Sequence, residues 1–177
     1  MLARSLRITT NFATDSYVLD SAATIDLATS TTPSGAPCQG PARQDNAPIG
    51  PVIDATSRLT FVTLRGVGLF VVNSMATPMS IVAEYDSATV HPNGCCGVEA
   101  SGSMFINSGG GTPANPLESD LYSFPLARFS LTPNPPNTPA PTVVFSHDSR
   151  GFVDSHGATL TTTAGTCGWP TGPRTAS

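Results

Sequence analysis

The side chains able to move protons or bind metal ions are few in this sequence. The best-placed pair is His156 with Asp154, in the run Val153-Asp154-Ser155-His156-Gly157. An imidazole titrates near neutral pH and can take a proton from water, and a neighbouring carboxylate can orient it. His156 is therefore the candidate general base and Asp154 its orienting group. The plainer role for the same imidazole is a loop histidine that hydrogen-bonds between structural units. His147-Asp148 repeats the pairing with weaker support, and His91 falls in a Pro/Asn/Gly turn. The four cysteines, Cys38, Cys95, Cys96 and Cys167, have neither zinc-finger nor redox spacing. Buried or loop thiols are the simpler reading, and a Cys38–Cys95 disulfide stays open for an exported parent.

Composition removes several chemistries. All eight basic residues are arginines, so no lysine serves as a phosphate-loop or Schiff-base group. Charged residues make up only 11% and the net charge is -4, without a basic stripe for a nucleic-acid backbone. Aromatic residues, at 7%, are too scattered for a base-stacking platform. Ser101 lies between Ala100 and Gly102 and lacks the strand-to-helix setting of a nucleophile elbow. Gly109-Gly110-Gly111 runs into Thr112-Pro113, a turn and not a dinucleotide-binding helix start. No apolar run approaches the roughly 18 residues of a membrane helix. Met1 to Phe12 has no continuous apolar core, so no signal peptide is expected. A cytoplasmic location is expected for the chain as it stands, with an exported parent left open.

What must position these residues is a set of short strands. Sixteen glycines and seventeen prolines among 177 residues disfavour long helices, and no helical apolar period is sustained. Leu59 to Leu64, Leu69 to Asn73 and Met79 to Asp86 are rich in Val, Ile and Phe and are separated by turn residues. They predict an antiparallel meander. Ser103 to Asn107, Asp120 to Phe124 and Thr142 to Asp148 predict a second. Gly50, Gly97 and Gly157 precede successive units and stand 47 and 60 residues apart. A repeat of this length with three or four strands per unit is the signature of propeller blades. A β-sandwich with an irregular loop is the structural alternative.

The expected fold is thus all-β, a partial β-propeller of about three antiparallel blades. The expected division gives residues 7–47 as the remnant of a first blade and its loop, 48–96 as one blade and 97–156 as the next. Residues 157–177 would begin a further blade. From Thr162 the strand pattern is lost, and residues 166–171, read one base out of register, can spell a first strand. The tail is therefore expected to be out of register, and blade edges left unpaired would invite self-association.

Gly97-Val98-Glu99-Ala100-Ser101-Gly102-Ser103-Met104-Phe105-Ile106-Asn107 resembles the blade opening of lactonase-like and NHL-type β-propellers. In these, a Gly-Val stretch leads to an inner strand ending in Asn or Asp. Val153 to Ala158 resembles the next such opening, and Gly68 to Asn73 a strand exit. The resemblance covers roughly residues 48–160 and implies the gluconolactonase- and paraoxonase-like superfamily. What it implies is a calcium-dependent hydrolase of lactones or esters, acyl-homoserine lactones among them. The implied Ca2+ ligands are Glu99, Asn107, Asp154 and Asn73, and calcium takes six to eight oxygens. The alternative is a non-catalytic propeller that binds a ligand or protein, or an inactive truncated one. Convergence of Glu99, Asn107, Asp154 and His156 would favour the hydrolase; placement on different faces would favour the alternative. Neither nucleic acid nor membrane is an expected partner.

Overall fold

A computed structural model describes residues 4–27, 48–54, 56–64, 68–86, 89–90, 97–107, 120–132, 138–145, 159–160 and 167–168. Among them the chain is all-β, with one short 3-10 turn at Leu126–Arg128. No helix among the described residues is long and apolar enough to cross a membrane. The strands are β1 (Arg4–Asn11), β2 (Ser16–Asp26), β3 (Pro48–Asp54), β4 (Leu59–Leu64), β5 (Gly68–Asn73) and β6 (Ser80–Asp86). They continue with β7 (Gly97–Ala100), β8 (Ser103–Asn107), β9 (Leu121–Pro125), β10 (Thr142–Phe145), β11 (Thr159–Leu160) and β12 (Cys167–Gly168). They form a hairpin β1-β2, two four-stranded sheets β3-β4-β5-β6 and β7-β8-β9-β10, and a ribbon β11-β12. Every pairing is antiparallel.

Both four-stranded sheets are meanders in sequence order, as the strand pattern predicts, but each begins one strand earlier than its apolar runs suggest. Pro48 and Pro51 hide β3 from a pattern reading. A proline is tolerated there because β3 is an edge strand, and the register is irregular between these two residues. In the second sheet the Gly97 stretch is itself the first strand, β7. The run ending at Asn107, read as the inner strand, is β8, held between β7 and β9. The tail also departs from expectation: Cys167 pairs with Leu160, giving two residues of ladder inside the stretch without a strand pattern.

The sheets stack in layers. Leu59, Phe61, Leu69, Val71, Ala83 and Tyr85 of the first meander meet Met104, Ile106, Tyr122 and Phe124 of the second in one buried cluster. The Phe124 ring lies 5.7 Å from Phe61 and 5.2 Å from Tyr85, in the tilted and edge-on arrangements that the ring quadrupole favours. On the opposite face of the first meander, Val62, Phe70, Val72 and Ile81 are covered by Ala23, Ile25 and Leu27 from the base of the hairpin. The first meander is thus apolar on both faces because both are covered.

Candidate functional site

The first strand of each unit is brought into one row. β3 touches β7, and β7 touches β11. Gly97 of β7 lies against Val52 of β3. A Cβ built there would stand 2.5 Å from Ile106 Cδ1, 2.7 Å from the Phe105 carbonyl oxygen and 3.2 Å from Val52 Cγ2. No side chain fits such a space, which gives a packing reason for the glycine that opens this unit.

Glu99 sits on β7 opposite Met104 and is exposed. Its Oε1 accepts a hydrogen bond of 3.0 Å from the backbone N–H of Gly102, across a turn in which Ser101 and Gly102 both have positive φ. Its carboxylate thereby fastens the β7–β8 turn. Asn107 stands at the other end of β8, opposite Leu121, and is wholly buried. Because alternate residues face opposite sides of a strand, Asn107 and the Met104–Glu99 pair belong to opposite faces of the sheet. Three residues of strand also separate them, about 10 Å at roughly 3.4 Å per residue. One calcium shell cannot take both from these positions.

Asn73 ends β5 in the other sheet. Its Oδ1 accepts from the Met75 N–H at 3.1 Å, and its Nδ2 donates to the Leu131 carbonyl at 3.2 Å. Both polar atoms of this side chain therefore serve a turn and a tie between the two meanders. Asp154 and His156 lie outside the described residues, as do His91, His147, Cys38, Cys95 and Cys96. Among the described residues, no group of three or more His, Cys, Asp or Glu is placed to hold a metal ion.

Three further polar residues are built into the fold and escape a motif reading. Asp120, buried just before β9, accepts from the Tyr122 hydroxyl at 3.0 Å, at the same end of the sheet as Asn107. Asp54 is buried at the end of β3 and accepts from the N–H groups of Thr56 at 3.1 Å and Ser57 at 2.7 Å. Hydrogen bonding from Ser57 foremost, and then from the Thr56 N–H, holds its carboxyl below the ordinary value against the opposing effect of burial. Tyr85 donates at 2.6 Å to the Pro139 carbonyl, and its burial pushes its hydroxyl well above the ordinary tyrosine range. The only signal for these in the sequence is a lone polar residue beside an apolar strand, which does not separate a structural anchor from a site residue.

Arg7 and Asp20 pair across the hairpin. Arg7 Nε donates to Asp20 Oδ2 at 3.1 Å, while its other nitrogens reach the Met75 carbonyl at 3.3 Å and Thr77 Oγ1 at 3.1 Å. The guanidinium thereby clamps the hairpin to the β5–β6 connection. Its hydrogen bond is the main reason the Asp20 carboxyl titrates below the ordinary value. This clamp and the buried anchors are architectural. No protein-family model, no curated protein and no solved structure matches the chain.

Proposed function

We propose that the chain is a stacked-blade segment of a β-propeller, similar to the lactonase-like and NHL-type group in build, that serves as a non-catalytic binding scaffold. The observation that carries this reading is the middle sheet. β3-β4-β5-β6 is buried between a hairpin on one face and a second meander on the other, whereas a sandwich has two layers. The row β3, β7, β11 of first strands is what the inner edges of successive blades would form around a channel. The scaffold role is supported by the separation of Glu99 from Asn107 and by the turn and tie that occupy Asn73.

A second reading, the calcium-assisted lactone hydrolase, is favoured by one specific observation. β11, which begins three residues after His156 in the sequence, lies against β7, which carries Glu99. Acid release from a panel of lactones separates the two readings, measured with added calcium and again with a chelator. The scaffold predicts no chelator-sensitive turnover by the folded protein. Turnover that the chelator abolishes, and that Glu99→Gln reduces more than tenfold, would replace it with the hydrolase.

A further inference from the structure

Among the described residues the four sheets hold two, four, four and two strands, and the two short ones lie on complementary sides of the stack. Among the described residues the hairpin β1-β2 covers the β4–β6 side of the first meander: Val62, Phe70, Val72 and Ile81 are buried beneath it. On that same face Pro51 and Ile53 of β3 are exposed. Ile53 pairs with Thr60, next to the Val62 side of the sheet, yet is 63% exposed. The ribbon β11-β12 occupies the opposite position. It stands beside β7, the first strand of its neighbouring meander. Among the described residues, one short layer therefore shows a pair of strands on the outer side of its neighbour, and the other a pair on the inner side.

We infer that two copies of this chain associate head to tail, the ribbon β11-β12 of each joining the hairpin β1-β2 of the other into a four-stranded sheet. The inference rests on the stacked-blade reading. In the composite sheet the order is β11-β12 of one copy followed by β1-β2 of its partner. The ribbon then covers the β3 edge and Ile53 as β7 already covers the inner part of the first meander's other face. Among the described residues no strand pairs with the second edge of β1, and such an edge seeks a strand. The distal hairpin fits an element enclosed from both sides. Its cross-strand pair Ile8–Leu19 lies on one face and Val18 on the other, and all three are more than half exposed in the single chain. A head-to-tail contact of this kind closes when the rotation completes the circle.

The test is the mass of the full chain in solution by light scattering after size exclusion, for the native protein and two exposed-site variants. The native chain is expected at twice 18.2 kDa. Ile53→Arg is expected to give the single-chain mass with an unchanged circular dichroism spectrum. Val144→Arg, a position more than half exposed on the outer strand β10, is expected to leave the dimer intact. A single-chain mass for the native protein overturns the inference, as does a dimer that survives Ile53→Arg or is lost with Val144→Arg. Hydrogen exchange distinguishes this failure from failure of the stacked reading. Slow amides at Ala23 to Ile25 and in β5 of a monomer leave the stacking intact while removing the dimer. Fast amides at the hairpin base remove the stacking itself.

Discussion

The two meanders have the same topology and different surfaces. In the first, the central strand Leu69-Phe70-Val71-Val72 is buried at every position, because one face meets the second meander and the other meets the hairpin. In the second, β8 and β9 alternate over most of their length, Met104 and Ile106 enclosed while Ser103 and Phe105 are half-buried, and are buried at successive positions only where Asn107 meets Leu121 and Tyr122. Continuous burial along a strand marks a sheet covered on both faces, and alternating burial one covered on a single face.

The largest test of this contrast is at the shared interface. Phe124→Ala removes a fully buried ring that meets Phe61, Tyr85 and Tyr122, and is expected to cost about 3–5 kcal/mol in urea unfolding. The sharper version compares neighbours within one strand. Val71→Ala and Val72→Ala face opposite layers and are expected to cost nearly the same, about 2 kcal/mol each. In the second meander Ile106→Ala is expected to cost at least twice as much as Phe105→Ser relative to the area each buries. Equal losses there, or a silent Val72→Ala, would erase the distinction between the sheets.

Next in size is the contact between first strands. Gly97→Ala is expected to destabilise by about 1–3 kcal/mol, since its Cβ would meet a backbone carbonyl that cannot step aside. Gly102→Ala, where φ is +75° and nothing lies within 4 Å, is expected to cost about 1 kcal/mol through backbone conformation alone. Asn at position 102 should recover part of the second loss, and no small residue the first.

Tyr85→Phe breaks a tie from the first meander to the segment before β10 and is expected to cost about 1–1.5 kcal/mol at neutral pH. Burial favours the neutral phenol, so its contribution is complete below the ordinary tyrosine value of 10.0 and is lost as pH rises above it. The variant should flatten that alkaline limb of the stability curve. The smallest effects are in acid. The Asp54 and Asp20 carboxyls titrate below 3.8 in the fold, so their stabilisation is present above that value and disappears as pH falls through the folded values. Arg7→Ala should remove the Asp20 part, and added salt should weaken it in the native protein, leaving the Asp54 part in place.

Strand content was legible because its signals are local. Leu59 to Leu64, Leu69 to Asn73 and Ser103 to Asn107 are β-branched and aromatic runs bounded by turn residues, and each forms a strand. β3 was hidden because its prolines suppress the pattern, and only its place at a sheet edge makes them harmless. The candidate ligands show a different kind of limit. Glu99 and Asn107 are eight positions apart in a stretch that resembles a metal-bearing opening, but the turn at Ser101 and Gly102 folds that stretch back on itself. Register then assigns the two side chains to opposite faces, a property of pairing that no motif encodes.

By itself the sequence determined an all-β chain of short antiparallel strands, because side-chain shape and turn chemistry act within a few residues. Only the tertiary structure decided which faces are covered, why Gly97 tolerates no side chain, and which polar residues are anchors. These depend on what packs against each strand from far along the chain, as Tyr85 with Pro139 and Asn73 with Leu131 show.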